Sequence, residues 1–286
     1  MNPRERTGLF LAAPTVLYMA FFFVLPAFLL FVYSFYRSKA YVPIPDFVFD
    51  NYARALTSKG FWLVVWLSVK VGLSTGAISV AASFPVAWYI VYRTRGNALL
   101  YLILASWITS YLVRIYGWRM ILGSNGFVNT TLVQLGIIDQ PLDFLLYNPV
   151  AVVIALVHIY LPLTLLMLIS SLRDVRPEYL EAARDLGAGS TTTLLKVIVP
   201  MINRGLTGAF MFTTVLAAGD YVAPQVLGGT NSVTAGLLIS NQFRATGNWP
   251  FGAALAFVNF AVFVAVYFAF TNLLRLAGLA PNRRIH

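Results

Sequence analysis

The chain has 286 residues, of which 59% are hydrophobic and 10% are charged, with a formal net charge of +10. Soluble domains carry about 25% charged residues, so this composition excludes a soluble globular protein and favours a chain whose solvent is lipid. The positive charge does not indicate nucleic-acid binding, because the basic residues lie mostly between apolar segments, where membrane topology accounts for them. The absence of cysteine excludes disulfides and thiolate metal sites, and two histidines cannot form a multi-histidine metal site.

Six apolar segments follow one another along the chain, each close to the length of about 20 residues that a membrane-spanning helix needs. None alternates apolar and polar residues as the strands of a membrane barrel do. The sequence therefore predicts an all-α, multi-pass membrane protein with six transmembrane helices. The first segment is longer than the apolar region of a signal peptide, so we expect it to be retained. The predicted spans cover residues 10–35, 61–92, 98–122, 149–172, 205–219 and 251–274.

Basic residues are distributed unevenly between the two sides of these spans. Twelve of the twenty Lys and Arg residues lie on the same side as the N-terminus. Because cytoplasmic segments are enriched in Lys and Arg, this excess predicts that both the N-terminus and the C-terminus are cytoplasmic. The outer connections at residues 36–60, 123–148 and 220–250 are long and contain Gly and Pro, and we expect loops there. The twelve basic residues are Arg4, Arg6, Arg93, Arg95, Arg173, Arg176, Arg184, Lys196, Arg204, Arg275, Arg283 and Arg284.

Small residues recur along the second predicted span. Gly72 and Gly76 are four residues apart, and Ser79 and Ser83 follow them. Small residues at this spacing let a second helix approach closely in the membrane, so we expect this span to pack tightly on a neighbour.

The segment of residues 173–204 separates the fourth predicted span from the fifth. Pro177 suits the first turn of a helix, and Gly187 and Gly189 suit the left-handed cap that ends one. Ser190 then suits the N-cap of a second helix over residues 191–198. From the residues alone, the segment is either a docking surface for a partner protein or an amphipathic loop resting on anionic lipid. The apolar side of its first helix consists of Tyr179, Leu180, Ala183 and Leu186.

A spaced motif in this segment resembles the EAA motif of ABC importer permeases. The family usually has isoleucine and leucine where this chain has two valines, which is a conservative difference in volume and polarity. The motif lies between the fourth and fifth of six spans, and this combination implies the type I ABC importer permease fold. It consists of Glu181-Ala182-Ala183, three residues, Gly187, nine residues, Val197, one residue and Val199-Pro200.

The resemblance implies that the segment is a coupling helix that docks in a cleft of an ATP-binding cassette ATPase. Glu181 would make a polar contact with the ATPase. Ala182 and Ala183 would allow close packing, Gly187 would make the turn, and Pro200 marks the approach to the next span. The chain has no P-loop pattern, so it would not be an enzyme itself; ATP hydrolysis would reside on the partner, and no bound cofactor is implied.

Two further stretches resemble the polyamine permease branch of this family. The branch implies a bacterial inner-membrane importer of putrescine and spermidine, and its relatives carry opines and amino-acid derivatives. Residues 1–286 would form a single permease domain that pairs with a second permease, either a paralogue or a second copy. An ATPase dimer and a periplasmic substrate-binding protein would complete the transporter. The stretches are residues 113–118 continuing to 122–126, and residues 218–224 continuing to 228–230.

A polycation crossing a membrane needs carboxylates and aromatic faces along its path. Asp220 and Tyr221, at the outer end of the fifth predicted span, are the candidates for such a path. The alternatives are that the Asp220 carboxylate lies in water at a helix end, or that it pairs with Arg114 or Arg119.

Two other classes of membrane protein are weaker alternatives. A membrane enzyme would need an intramembrane catalytic set, and no Ser–His or His–Asp cluster stands out in the sequence. A stand-alone secondary transporter would need internal repeats and more charge within its spans. Partner dependence distinguishes the second alternative, because a secondary transporter works alone.

Overall fold

The computed structural model describes residues 3–39, 42–94 and 96–276, with side chains from Leu11 onward. Of the basic residues behind the predicted topology, Arg95, Arg283 and Arg284 lie outside the described residues. The helices are α1 (Pro3–Met19), α2 (Leu25–Tyr33), α3 (Asp50–Thr57), α4 (Lys59–Tyr92), α5 (Ala98–Ile108), α6 (Tyr111–Leu122), α7 (Phe127–Gln134), α8 (Pro149–Arg173), α9 (Pro177–Asp185), α10 (Ser190–Thr193), α11 (Val199–Met201), α12 (Asn203–Gly219), α13 (Ala235–Arg244) and α14 (Trp249–Leu276).

Shorter elements connect these helices. Strands β1 (Arg37–Lys39) and β2 (Val42–Ile44) form an antiparallel hairpin in which Arg37 lies opposite Ile44. Turns of π-helix occupy Ala20–Val24, Leu194–Ile198 and Pro224–Gly228, and turns of 3-10 helix occupy Asp143–Leu145 and Thr230–Ser232.

Four helices in the described part of the chain are long and apolar enough to cross a membrane, and the number rises to six if each of two bent helix pairs forms one span. These regions coincide with the six predicted segments, and the predicted class of all-α membrane protein is confirmed. The unbroken spans are Leu11–Tyr33, Lys59–Tyr92, Pro149–Arg173 and Trp249–Leu276, and the bent pairs are Ala98–Ile108 with Tyr111–Gln134 and Ser190–Met201 with Asn203–Gly219.

The third span is not the continuous helix expected over residues 98–122. Its two parts, on either side of Thr109 and Ser110, meet at an angle of 90°. Both residues have extended backbone with ψ of 137°, so two successive residues leave the helical region and redirect the chain. The break consists of two polar residues, Thr109 and Ser110, between longer apolar stretches, and two small polar residues alone do not rule out a continuous membrane helix, which is why the sequence suggested one.

The outer connections are more ordered than the expected loops. The hairpin of β1 and β2 and helix α3 occupy much of residues 36–60, while α7 and α13 lie within the other two connections. Arg37 forms exposed ion pairs with Asp46 at 3.2 Å and with Asp50 at 3.1 Å, which join the hairpin to α3. Exposed ion pairs contribute little to the free energy of folding. The two ion pairs of Arg37 therefore orient the hairpin and α3 more than they stabilise the protein.

Contacts divide the chain into two units, and the predicted single permease domain stays a prediction. The first unit contains the residues up to Trp62 together with Ile239–Ala261. Within it, the Asn51 side-chain amide donates to the carbonyl oxygens of Ser34 and Tyr36, both at 2.9 Å. These two bonds fix the end of α2 to the start of α3.

The second unit contains Leu63–Leu238 and the chain from Val262 onward. Helix α8 contributes to both of its buried apolar clusters, with Leu156 in one and Leu168 in the other. Both side chains are fully buried. The clusters meet along α8, so this helix is the core element of the second unit.

Helices α4 and α12 approach each other at two glycines. A Cβ at Gly72 would lie 2.6 Å from the carbonyl oxygen of Thr214 and 2.7 Å from the Cβ of Ala218. A Cβ at Gly76 would clash with the Thr214 hydroxyl and lie 3.0 Å from the carbonyl oxygen of Phe210. Only glycine leaves room for this contact, so the tight packing expected of the second span is confirmed.

Substituting Gly76 by Ala is expected to destabilise the protein by about 1–3 kcal/mol, because the added methyl group pushes α4 away from α12. The matched control is Gly117→Ala in α6, where nothing lies within 4 Å of the added Cβ. The control should be neutral or slightly stabilising, since Ala favours helix over Gly. Thermal unfolding of the purified variants in detergent measures the difference, and equal midpoints would contradict the packing described.

Candidate functional site

Helix α9 is the first element of the segment over residues 173–204, and it begins at Pro177 as expected. Arg176, the residue before it, has extended backbone with ψ of 137°, the conformation that a following proline favours. Glu178 lies in the first turn, where the helix dipole favours negative charge. The start of α9 is therefore set by local sequence.

A Schellman motif centred on Gly187 ends α9. Gly187 has φ of +75°, its N–H donates to the carbonyl oxygen of Arg184 at 2.8 Å, and the Ala188 N–H donates to that of Ala183 at 2.9 Å. Glycine adopts this left-handed conformation without a steric penalty. The predicted turn at Gly187 is confirmed, and Leu186 beside it is 88% exposed at the tip.

The second helix of the segment differs from the one expected over residues 191–198. Ser190 is its first helical residue and not its N-cap, a position that Gly189 occupies. Gly189 has extended backbone with φ of −68°, so its expected left-handed conformation is wrong. The helix runs to Met201 through the π turn that precedes Pro200. A proline lacks an N–H and its ring crowds the carbonyl four residues earlier, so the wider π turn accommodates it.

The motif residues divide between the surface and the interior. Glu181, Ala182, Gly187 and Pro200 are exposed, whereas Ala183 is only 7% exposed. Ala183 therefore packs inside the chain, and its expected role in close packing at the coupling segment stays a prediction. Its methyl group is buried inside the second unit, where a larger side chain would displace α9.

The apolar side of α9 is also divided. Leu180 packs against the buried cluster that contains Leu172 and Ile198, so it faces inward. Tyr179 is 44% exposed, and Leu186 is more exposed still. Leu180 thus fixes α9 to the core of the second unit. Tyr179 and Leu186 give the exposed side of α9 an apolar surface.

Sequence reasoning missed two exposed apolar residues of the second helix. Leu195 is 60% exposed and Met201 is 43% exposed, while the neighbouring Leu194 packs inward. Adjacent residues of a helix point in different directions, so Leu194 and Leu195 could not both face the core. The two neighbouring leucines were the signal available in the sequence. The exposed side chains of Leu195 and Met201 add apolar surface to this segment.

Asp220 lies one residue beyond α12 and receives hydrogen bonds from four residues. The Tyr111 hydroxyl donates to its Oδ2, and the Tyr160 hydroxyl donates to the same atom at 3.4 Å. The Ala223 N–H donates to Oδ1 at 2.9 Å, and the Thr234 hydroxyl donates to the Asp220 carbonyl oxygen at 3.1 Å. The carboxylate therefore joins α6 and α8 to the end of α12.

Neither alternative placement of Asp220 is observed. Its carboxylate is largely withdrawn from water, and among the described residues it forms no ion pair within 4.0 Å with Arg114 or Arg119. Burial raises the pKa of the Asp220 carboxyl above its ordinary value, and hydrogen bonds from its neighbours oppose that shift only in part. The adjacent Tyr221 is 39% exposed, so its ring stays accessible.

The tyrosine partners of Asp220 could not be predicted from the sequence. Tyr111 is 109 residues away along the chain and Tyr160 is 60 residues away. No local pattern connects positions so far apart. Within the described part of the chain, no group of three His, Cys, Asp or Glu residues is arranged to hold a metal ion.

The chain resembles named permeases over most of its length. It is 34% identical over 211 residues to the spermidine/putrescine transport system permease protein PotB of Escherichia coli (strain K12), covering 73% of this chain and 76% of the relative. It is 30% identical over 263 residues to PotB of Haemophilus influenzae, covering 90% of this chain and 91% of the relative. The inner membrane ABC transporter permease protein YdcU of Escherichia coli (strain K12) is 28% identical over 242 residues, covering 80% of this chain and 76% of the relative. No model of a protein family matches the chain.

Solved structures share the fold at low sequence identity. A chain of a bacterial alginate ABC transporter, in complex with an alginate pentasaccharide-bound periplasmic protein, superposes with a TM-score of 0.74 at 14% identity, covering 96% of both chains. A chain of the MetNI methionine ABC transporter superposes with a TM-score of 0.57 at 18% identity, covering 77% of this chain and 99% of that one. The fold is that of an ABC importer permease.

Replacing Tyr111 by Phe is expected to lower stability by about 1–3 kcal/mol, because the buried Asp220 carboxylate loses a hydrogen-bond donor. Tyr116→Phe is the matched control in the same helix, since Tyr116 is 50% exposed. Thermal unfolding in detergent should separate the two variants. If both unfold like the unsubstituted protein, the bond between Tyr111 and Asp220 does not stabilise the fold.

Proposed function

Because this chain belongs to the family of spermidine/putrescine transport system permease proteins, we propose that it carries putrescine or spermidine into the cell. The chain is a multi-pass protein of the bacterial inner membrane and a permease subunit of an ABC importer. The observation that carries the proposal is the 30% identity that extends over 90% of the chain. Membership of this family favours a permease subunit over a stand-alone secondary transporter or a membrane enzyme.

The proposed coupling surface is the exposed part of α9 and its turn. It comprises the Glu181 carboxylate, the small Ala182 and the Leu186 side chain beside Gly187. An apolar tip next to a carboxylate suits insertion into a cleft on a partner ATPase, with Glu181 making the polar contact at its edge. Pro200 lies on the exposed side of the following helix, and Ala183 supports the surface from inside.

The remaining parts of the transporter follow from the same proposal. Two ATPase subunits bind and hydrolyse ATP, a second permease completes the pathway, and a periplasmic protein delivers the solute. Both termini and the coupling surface lie in the cytoplasm, in keeping with the excess of basic residues on that side. Measuring the mass of the purified complex distinguishes a paralogous second permease from a second copy of this chain.

Asp220 and Tyr221 are proposed to line the substrate pathway. A buried carboxylate attracts a polycation, and the exposed face of the Tyr221 ring can contact an ammonium group. Asp220 already accepts hydrogen bonds from Tyr111 and Tyr160, so its charge is held in place before a solute arrives. A fixed charge needs no reorganisation when the cation passes.

Replacing Gly187 by Asp is expected to abolish co-purification with the ATPase while the permease still inserts into the membrane. The reason is that the substitution disturbs the left-handed turn at φ +75° and adds charge to an apolar tip. Affinity purification of the tagged permease, followed by quantification of the ATPase, measures the effect.

The control for this variant is Gly189→Asp, which adds the same charge two residues away. Gly189 is the N-cap of α10 with φ of −68°, a position where Asp is favoured. The control should retain most of the ATPase. Normal ATPase recovery with Gly187→Asp would contradict the coupling role, and equal losses in both variants would assign the effect to charge alone.

Uptake of labelled putrescine and spermidine by the complete transporter tests the substrate. We expect saturable uptake, and we expect Asp220→Asn to raise its KM by about tenfold, because the variant removes one negative charge from the path of the cation. Tyr111→Phe is the control, because it disturbs the same cluster and keeps the carboxylate. Absence of uptake with an intact complex would reject polyamines and leave the permease assignment standing, and equal KM changes in both variants would reject a direct role for Asp220.

A further inference from the structure

A cavity of about 240 Å³ lies between the end of α4 and the segment over residues 173–204. Aromatic side chains of α4 form one wall, and an apolar and a basic side chain of α9 form part of the other. Both walls belong to the second unit. The cavity therefore joins a membrane span to the segment that carries the proposed coupling surface. The lining residues that matter for its chemistry are Trp88, Tyr92, Arg93, Leu180, Arg184 and Thr193.

The α4 wall has the composition of a membrane interface. Phe84, Trp88 and Tyr92 follow one another at intervals of four residues, and their ring centroids are 6.5 Å and 4.6 Å apart along the row. The apolar run of α4 ends at Tyr92, and Arg93 follows it directly. Trp and Tyr are enriched at the level of lipid headgroups, and an arginine at the end of a span extends toward that level. These features place the cavity at headgroup level, with Phe84 deeper in the span.

Two arginines reach the cavity from different elements. Arg93 comes from the end of α4. Arg184 is four residues after Leu180, so the two side chains lie on the same side of α9, the side that packs against the core. In the part of the chain that the structure describes, neither arginine has an ion-pair partner within 4.0 Å, and no acidic residue lines the cavity. The cavity is therefore positively charged and suited to an anion.

Two hydroxyl groups of the lining are already occupied within the protein. The Tyr92 hydroxyl donates to the carbonyl oxygen of Leu172 at 3.1 Å, and the Thr193 hydroxyl donates to that of Gly189 at 3.2 Å. An anion would therefore be bound by the guanidinium groups, which hold phosphate oxygens through paired N–H donors. Basic pockets between membrane helices suit anionic headgroups in this way.

We propose that this cavity binds the headgroup of one anionic phospholipid. Its phosphate lies between the guanidinium groups of Arg93 and Arg184, and its acyl chains follow the aromatic row from Trp88 toward Phe84. A free phosphate ion or a carboxylate of a protein partner would use the same arginines and would make no use of that row. The bound lipid adds a charged link between α4 and α9 to the apolar contact of Leu180 with the core.

The test uses the full-length chain, purified in a neutral detergent and depleted of lipid. Phosphatidylglycerol, phosphatidylcholine with the same acyl chains, and inorganic phosphate are added separately. Native mass spectrometry counts bound lipid, and the thermal unfolding midpoint reports stabilisation. We expect phosphatidylglycerol to bind and to raise the midpoint, and we expect the other two additives to do neither at the same concentrations.

The double variant Arg93→Gln/Arg184→Gln should bind phosphatidylglycerol about thirtyfold more weakly, because each substitution removes one guanidinium from beside the headgroup. Both side chains are exposed, so their replacement leaves the core intact. The matched control Arg176→Gln/Lys196→Gln removes two exposed charges of the same segment from outside the cavity, and it should bind as the unsubstituted chain does. Arg93→Lys/Arg184→Lys keeps both charges and should weaken binding only about threefold, through the loss of the paired donors.

Four outcomes would overturn the proposal. Equal binding of phosphatidylcholine would remove the role of charge, and full stabilisation by inorganic phosphate would assign the cavity to a free anion. Equal weakening in the matched control would assign the effect to surface charge in general. Unchanged phosphatidylglycerol binding in Arg93→Gln/Arg184→Gln would place the lipid elsewhere, and a simultaneous loss of ATPase recovery in that variant would assign the two arginines to a protein partner.

Discussion

Helices inside lipid gain little from the hydrophobic effect, so close packing and hydrogen bonds must hold the second unit together. Helix α12 is held by close packing on one side and by a hydrogen bond on another. It meets α4 where Gly72 and Gly76 replace larger side chains, and it meets α8 through a hydrogen bond of 2.8 Å between Thr164 and Thr213. Because α12 is fixed between these helices, the features at its two ends have fixed positions as well.

Helix α9 and the helix that follows it, which carry the proposed coupling surface, precede α12 and pack on the same core. Leu180 of α9 and Ile198 of the following helix contact the cluster that includes Leu172 at the end of α8. A displacement of α9 must therefore move or repack side chains that also support α8 and the start of α12. Packed cores shift between discrete arrangements and do not deform continuously, so this contact is the physical route that the proposed docking of a partner would use to reach the spans.

Charge is separated along α12. Arg204 lies in its first turn, and the Asp220 carboxylate lies one residue beyond its end. Asp220 is held by tyrosines of α6 and α8, while Arg204 borders a cavity between α12 and α14. A basic side chain at the start of α12 and an acidic one just beyond its end thus carry opposite charges.

Local sequence was sufficient to place the six apolar regions, the start of α9 at Pro177 and the turn at Gly187. These features depend on composition and on neighbours within a few residues, since span length, proline geometry and the left-handed glycine conformation are local properties. The break at Thr109, the burial of Ala183 and the tyrosine partners of Asp220 are visible only in the folded chain. The break falls at two small polar residues that a membrane helix also tolerates, and the other two depend on residues that are distant along the chain and meet only when the helices pack.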